Sequence, residues 1–167
     1  MIQKAQVADA EKIAEVHVES WRTTYAGQFP DEYLAALSVP ARTEIWRELL
    51  EKHQAHVSLF VENGVVAGFV SSGKSRDQDS TSQGAGEIYA IYLKAEHQGR
   101  GLGRQLWNAA ISSLKEQGFS SAVVWVLDTN LPARDFYKKM GCQLDGATKA
   151  ESIGGKPIRE VRYVAPL

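Results

Sequence analysis

Residues 87–114 take the chain through an abrupt change of backbone regime. Glu87-Ile88-Tyr89-Ala90-Ile91-Tyr92-Leu93 is rich in β-branched and aromatic side chains, as a strand requires. Residues 98–103 then read Gln98-Gly99-Arg100-Gly101-Leu102-Gly103, and Leu106, Trp107, Ala110, Ile111 and Leu114 follow at helical spacing. Glycines at alternate positions let the main chain turn sharply and aim several N–H groups at one point. The N-terminus of the following helix adds its partial positive charge there. Arg100 and Arg104 bring full charges alongside. Strand, glycine turn and helix in this order read as a phosphate cradle; a plain left-handed turn into a helix is the bland alternative.

Two familiar phosphate motifs can be weighed against this segment. Gly68-Phe69-Val70-Ser71-Ser72-Gly73-Lys74-Ser75 satisfies the spacing G-x-x-x-x-G-K-S. Its context is wrong, because Phe69-Val70-Ser71 continues a strand and a polar loop follows where the mechanism needs a helix. A dinucleotide fingerprint also fails: after Gly99 and Gly101 its third position is Arg104, and after Gly101 and Gly103 it is Leu106.

The rest of the chain supplies the frame. Asp9 reads as the N-cap of a helix carrying Ile13, Val16, His17 and Trp21 on one face. A short helix over 31–37 follows, then one opened by Pro40 with Ile45, Trp46, Leu49 and Leu50 as its apolar stripe. Residues 56–62 and 65–72 are strands joined by Asn63-Gly64, a pair suited to a type I′ hairpin. Residues 73–86 are polar and small throughout and read as a mobile loop with no part in a core. Gly118 ends the central helix, and 122–127 reads as a strand buried on both faces. Asn130 and Pro132 open a further helix ended by Gly141, and strands near 142–146 and 158–164 close the chain. The order β-α-α-α-β-β-β-α-β-α-β-β predicts an α/β fold of the α+β kind, a mixed sheet flanked by helices, in one domain over residues 1–167.

Charge and cysteine content narrow the function. Nineteen basic and twenty acidic side chains leave a net charge of −1, so generic attraction to nucleic acid or an anionic membrane is not the driving force. One cysteine, Cys142, forms no internal disulfide and supplies no thiolate metal cluster. His53 and His56 have no third ligand nearby in sequence, so no metal is expected. The N-terminus lacks the apolar run of a signal peptide, and the longest apolar stretch is far below the ~20 residues of a membrane span, so a cytoplasmic location is expected.

Gln-x-x-Gly-x-Gly between strand and helix resembles the acyl-CoA pyrophosphate loop of the GNAT superfamily of N-acetyltransferases. Asn130-Leu131-Pro132-Ala133-Arg134-Asp135-Phe136-Tyr137, continued to Gly141, is similar to that family's N-x-x-A-x-x-F-Y-x-x-x-G signature. The resemblance runs from about residue 87 to 141. Cys142 departs from it, standing where the family usually has an aromatic residue.

The resemblance implies a splayed central sheet, with acetyl-CoA as co-substrate laid in the gap. Ile91, Tyr92 and Leu93 would pair with the pantetheine arm through their backbones, much as a strand adds to a sheet edge. Gln98 opens the pyrophosphate loop, whose amides from Gly99, Arg100, Gly101, Leu102 and Gly103 would hold the diphosphate, and Asn130 would hydrogen-bond the pantetheine. The reaction so implied is direct acetyl transfer to an amine that must first lose a proton, since such amines have a pKa of about 10. A strand N–H would stabilise the oxyanion, and Tyr137 would protonate the leaving thiolate. Glu87 is the candidate base, directly or through water. The bland alternatives are a core aromatic at Tyr137 and an exposed strand-end carboxylate at Glu87.

Tyr25 and Arg22 fall where the family walls the acceptor side; packing of Trp21 and Tyr25 is the competing view. The acceptor is a small-molecule or peptide amine of unspecified identity, and a homodimer is compatible because many relatives dimerise. A non-catalytic acyl-CoA-binding module of the same fold is the alternative function.

Overall fold

The computed structural model describes residues 1–79 and 84–167; residues 80–83, in the middle of the expected polar loop, lie outside them. The elements are β1 (Ile2–Lys4), α1 (Ala10–Thr24), α2 (Asp31–Ala36), α3 (Val39–Glu51), β2 (His56–Glu62), β3 (Val65–Lys74), β4 (Gly86–Leu93), α4 (Leu102–Glu116), β5 (Ser121–Leu127), α5 (Leu131–Lys139), β6 (Gln143–Ile153) and β7 (Lys156–Pro166). The strands form one seven-stranded sheet in the order β1-β2-β3-β4-β5-β7-β6. Among the described residues only β4 and β5 run parallel; every other neighbouring pair is antiparallel. Among the described residues, no helix is long and apolar enough to cross a membrane.

Local chemistry explains most boundaries. Asn63 and Gly64, at φ 52° and 78°, form the left-handed pair that closes the β2–β3 hairpin. Ser38 Oγ accepts from the Ala41 N–H, so the serine caps α3 and Pro40 sits within its first turn. Asn130 Oδ1 accepts from Ala133 N at 3.2 Å and caps α5. Asp9 behaves otherwise than its sequence context suggests. Its carboxylate accepts from Gln6 N at 2.9 Å, closing a 3₁₀ turn over Val7–Asp9, and gives α1 no side-chain cap. Ile45 is 53% exposed, so the α3 stripe narrows to Trp46 and Leu50, with Leu49 at its edge.

β6 and β7 run longer than the sequence suggested. Gly146, where the strand was expected to stop, has φ 90° and lies in a register shift between Leu144 and Thr148. The strand bends there and resumes, as a bulge permits. It ends only at Gly154-Gly155, both at positive φ.

Packing divides by sheet face. α4 lays Leu106, Trp107, Ala110 and Leu114 against Ile88, Val124 and Tyr163. Full burial of each leucine is worth roughly 1.5–3 kcal/mol. On the other face Ile13 and Val16 of α1 and Trp46 of α3 cover Leu59 and Phe69. A third cluster joins Tyr25, Phe29 and Leu34 to Leu127, with Ile158 against it.

The described start of the polar loop is held in place, contrary to expectation. Ser75 N donates to Ala85 O at 3.0 Å, extending the β3–β4 pairing by one rung. Asp77 accepts from the Trp125 indole at 2.8 Å, pairs with Lys149 at 2.9 Å and meets Arg162 at 3.0 Å. Arg162, only 2% exposed, also takes Asp145 and Asp79, each at 2.7 Å. The loop's charges complete an ion network whose other half lies on β6 and β7.

Candidate active site

The site begins where the sheet comes apart. β4 and β5 pair only through Gly86–Ala122, Glu87–Val123 and Ile88–Val124. Beyond Ile88, on the β3 side, Ser71 pairs with Ala90 and Ser72 with Ile88, which leaves Tyr89 as an extra residue. A bulge bends and twists its strand, so β4 turns away from β5 from this point on.

The open edge of β4 carries main-chain groups. Lys94 N donates to Ala67 O at 2.9 Å, and Ile91 and Leu93 stand opposite Val70 and Gly68. In an antiparallel ladder alternate residues bond the partner strand, so the N–H and C=O groups of Ile91 and Leu93 face away from β3 into the gap. The Leu93 carbonyl accepts there from Gln98 Nε2 at 3.1 Å. Gly68, the first residue of the Walker-like spacing, sits inside β3, where an added Cβ would lie 2.6 Å from Tyr92 O. All of residues 68–74 belong to that strand, so the match holds no phosphate loop.

The glycine turn closes the other end of the gap. Gly99 and Gly101 have φ of 73° and 78°, a conformation costly for any residue with a Cβ. Gly101 is the N-cap of α4, so the first-turn N–H groups of Leu102, Gly103 and Arg104 have no partner within the helix. Gly103 serves a different purpose: its missing Cβ would lie 3.2 Å from the Phe136 ring.

Between turn and gap lies a cavity of about 510 Å³. Its walls bring together Ile91, Tyr92 and Leu93, the turn residues Gln98, Gly99, Gly101, Leu102, Gly103 and Arg104, and Asn130 and Tyr137 across the gap. Pro132, Ala133 and Phe136 of α5 line it as well, and Ser20, Thr24 and Met140, which the sequence did not single out, complete it. An extended amide chain ending in a diphosphate fits this shape: outward-facing strand amides along one side, and at the end a helix N-terminus with Arg104, which pairs with no side chain among the described residues.

Four expected residues lie off the cavity wall. The Arg100 guanidinium grips Glu62 at 2.8 and 2.9 Å, which leaves only its backbone to the turn. Arg22 donates to the carbonyls of Leu34, Ala35 and Leu37, closing the C-terminal end of α2. Glu87 is 1% exposed, and its carboxylate accepts from Arg76 N at 2.9 Å and from the Arg76 guanidinium. Tyr25 is buried behind Tyr92 and Asn130, packed on Phe29 and Trp21.

The aromatic groups around the gap are held neutral. Burial, then the neighbouring Tyr25 and Cys142, raises the Tyr137 pKa well above that of a free phenol. Burial raises Tyr92 likewise, and its hydroxyl accepts from the Trp21 indole at 2.9 Å. Tyr25 is raised by burial, against the opposing pull of Tyr92 and Asn130 nearby. Burial pushes the Cys142 thiol up to about 12, so it is no nucleophile at neutral pH. His17, stacked on Tyr92 with centroids 5.3 Å apart, is lowered to about 4 by burial and then by Arg42; its Nδ1 accepts from the Trp46 indole at 3.1 Å.

Known proteins resemble this chain in sequence and in fold. The chain is 39% identical over 163 residues to the uncharacterized N-acetyltransferase YuaI of Bacillus subtilis, covering 96% of this chain and 89% of that protein. The crystal structure of PaiA N-acetyltransferase from Thermoplasma acidophilum in complex with coenzyme A has the same fold, with a TM-score of 0.75, 21% identity, and 100% and 98% of the two chains covered. So does a GNAT superfamily phosphinothricin acetyltransferase from Sinorhizobium meliloti in complex with acetyl-CoA, with a TM-score of 0.76, 19% identity, and 100% and 88% covered. The sequence profile of the Acetyltransferase (GNAT) family matches residues 12–142, from α1 through the glycine turn to the end of α5. On that match the chain belongs to the GNAT family of acetyltransferases.

Proposed function

We propose that this GNAT-family chain uses acetyl-CoA to acetylate a primary amine of a small molecule or peptide, by direct attack of the amine on the thioester. The observation that carries this reading is the gap opened in the sheet beyond Ile88–Val124, continuous with the glycine turn at the head of α4.

Acetyl-CoA, when bound, supplies an activated acyl group and a stable thiolate leaving group. The first-turn amides of α4 and the Arg104 guanidinium hold the diphosphate. Ile91 and Leu93 offer outward-facing N–H groups and the Ile91 carbonyl to the pantetheine amides and the thioester carbonyl. A strand N–H aimed at that carbonyl is fixed by the sheet before reaction, so it stabilises the oxyanion without reorganising. Tyr137, neutral at any working pH, has a proton to give to the departing sulfur. Glu87 reaches an acceptor only by exchanging its contact with Arg76, so its part here is to fix the loop that carries Arg76.

The test is release of free CoA thiol from acetyl-CoA by the purified protein over a panel of primary amines, with products identified by mass. Amine-dependent release with an N-acetylated product is expected. Tight acetyl-CoA binding with no transfer to any amine would count against the proposal.

A further inference from the structure

On β7 the side chains of Ile158, Glu160 and Arg162 share the sheet face away from α4, because Val161, Tyr163 and Ala165 pack into the α4 core. Ile158 lies against the cluster of Tyr25, Phe29, Leu34 and Leu127. Arg162 is closed over by Asp77 and Asp79 of the loop. Glu160 therefore stands between two walls, the α1–α2 segment on one side and the 75–79 loop on the other.

Its cross-strand neighbours are Leu127 on β5 and Lys149 on β6. Lys149 is the obvious counter-ion, yet its ammonium goes to Asp77 Oδ1 at 2.9 Å and lies 3.9 Å over the Trp125 ring. Arg162 is divided among Asp77, Asp79 and Asp145, and Arg76 holds Glu87. Every cation around Glu160 is committed elsewhere. Among the described residues its half-buried carboxylate makes no hydrogen bond and no ion pair. Its oxygens are not among the buried, unpartnered atoms of the described residues and so still reach solvent. A cation arriving from solution can therefore meet this carboxylate without breaking an existing pair.

The groups that bear on Glu160 are Glu151 and Lys149 of β6, Arg76 of the loop, Glu87 of β4 and Tyr25 just past the end of α1. Burial, then Glu151, raises its pKa above the ordinary carboxylate value, which favours a proton-accepting role. Leu127, the β5 neighbour of Glu160, packs in the same cluster as Tyr25, and Tyr25 in turn adjoins Tyr92 and Asn130 of the cavity wall.

We infer that Glu160 receives the acceptor, binding the protonated primary amine and taking its proton. This rests on the N-acetyl transfer proposed above. The ammonium gives one proton to Glu160 and gains a lone pair; that pair forms the C–N bond while the C–S bond breaks. The nitrogen's second proton ends on the coenzyme sulfur, and Glu160 returns its proton to water.

The test compares wild type, E160Q and E160D with 1,4-diaminobutane, spermidine, phenethylamine and a lysine-containing peptide from pH 6 to 9, beside acetyl-CoA affinity by calorimetry. For the best amine E160Q should lose about 100-fold in kcat/KM while acetyl-CoA affinity stays within about twofold. Wild type should reach a plateau by neutral pH. E160Q, which can use only free amine, should climb about tenfold per pH unit towards the amine pKa of about 10. E160D, keeping a carboxylate, should retain the wild-type profile shape, and it carries the test if E160Q does not fold. An E160Q enzyme with kcat/KM within about twofold of wild type, or with an unchanged profile, would overturn the role of Glu160 alone. Wild type that binds acetyl-CoA but acetylates no amine would overturn the reaction and Glu160's part in it together.

Discussion

Ile88 and Val124 are the last residues to pair β4 with β5, and the residue after Ile88 is the extra one of a bulge. The bulge is anchored by Tyr89, whose hydroxyl donates to the Lys74 carbonyl at 2.5 Å and whose ring lies across Gly73. A Cβ on Gly73 would stand 2.6 Å from that hydroxyl, so the glycine leaves the space that Tyr89 fills. The Arg76 guanidinium covers the same ring at 4.7 Å from its centroid and grips Glu87. One knot of side chains thus opens the gap between β4 and β5 and fastens the described start of the loop.

Gly101 tests the diphosphate cradle. At φ 78° a β-branched residue meets its own backbone, and relaxing that clash rotates the first-turn amides of α4. Gly101→Val should weaken acetyl-CoA binding at least about tenfold by calorimetry, roughly 1.4 kcal/mol. Unchanged affinity would mean that the diphosphate is held elsewhere.

Tyr137 tests proton delivery. Because its pKa is raised by burial, the phenol keeps its proton throughout an assay from pH 6 to 9. Tyr137→Phe should therefore lower kcat by about 100-fold at every pH, with acetyl-CoA affinity within about twofold. An undiminished kcat would reduce Tyr137 to a packing partner of Trp107, Phe136 and Tyr163.

Element order, the type I′ hairpin, the glycine turn and the α5 cap were legible because each is decided by residues adjacent in sequence. Glycines at 99 and 101 and an asparagine before Pro132 announce their backbone needs locally. The roles of Arg22, Arg76, Asp77 and Glu160 were not legible. Each depends on partners brought close by the sheet: Asp77 meets Trp125, Lys149 and Arg162, which lie 48 to 85 residues away. Polar composition alone made residues 73–86 look solvated throughout, and nothing in Glu87 itself betrays that Arg76 occupies it. The bulge at Tyr89 was hidden for the same reason, since it exists only in the pairing with β3.

Arg162 tests the loop network. Burial opposes ionisation of Asp77, but contacts with Lys149, Trp125 and Arg162 outweigh it and hold its pKa below the usual value. Arg162→Leu leaves the Asp145 carboxylate, at 12% side-chain exposure, without its cation and takes from Asp77, at 10%, one of its two. The loss should be about 3–5 kcal/mol by urea unfolding at pH 7. Adding D77N and D145N should recover most of it, because the charges then left over, Lys149 and Asp79, are the more exposed members of the network. No recovery would mean that the arginine contributes through its packing on Trp125.

His17 gives the fold a pH dependence of its own. Burial first, and the Arg42 charge second, lower its pKa from 6.5 to about 4, so the folded chain keeps the imidazole neutral while the unfolded chain protonates near 6.5. The unfolded state then binds more protons between those values, and stability falls as pH is lowered through that window. The contribution is complete above about pH 7.5, and about 2 kcal/mol of it is gone at pH 5. His17→Asn keeps an acceptor for the Trp46 indole but cannot take up a proton. Urea midpoints for the two proteins at pH 8 and pH 5 should therefore show a smaller drop for the variant, by about the same 2 kcal/mol after conversion with the m-value. Equal drops would mean that His17 is protonated in the folded chain, which its stacking on Tyr92 within the α1–α3 core opposes.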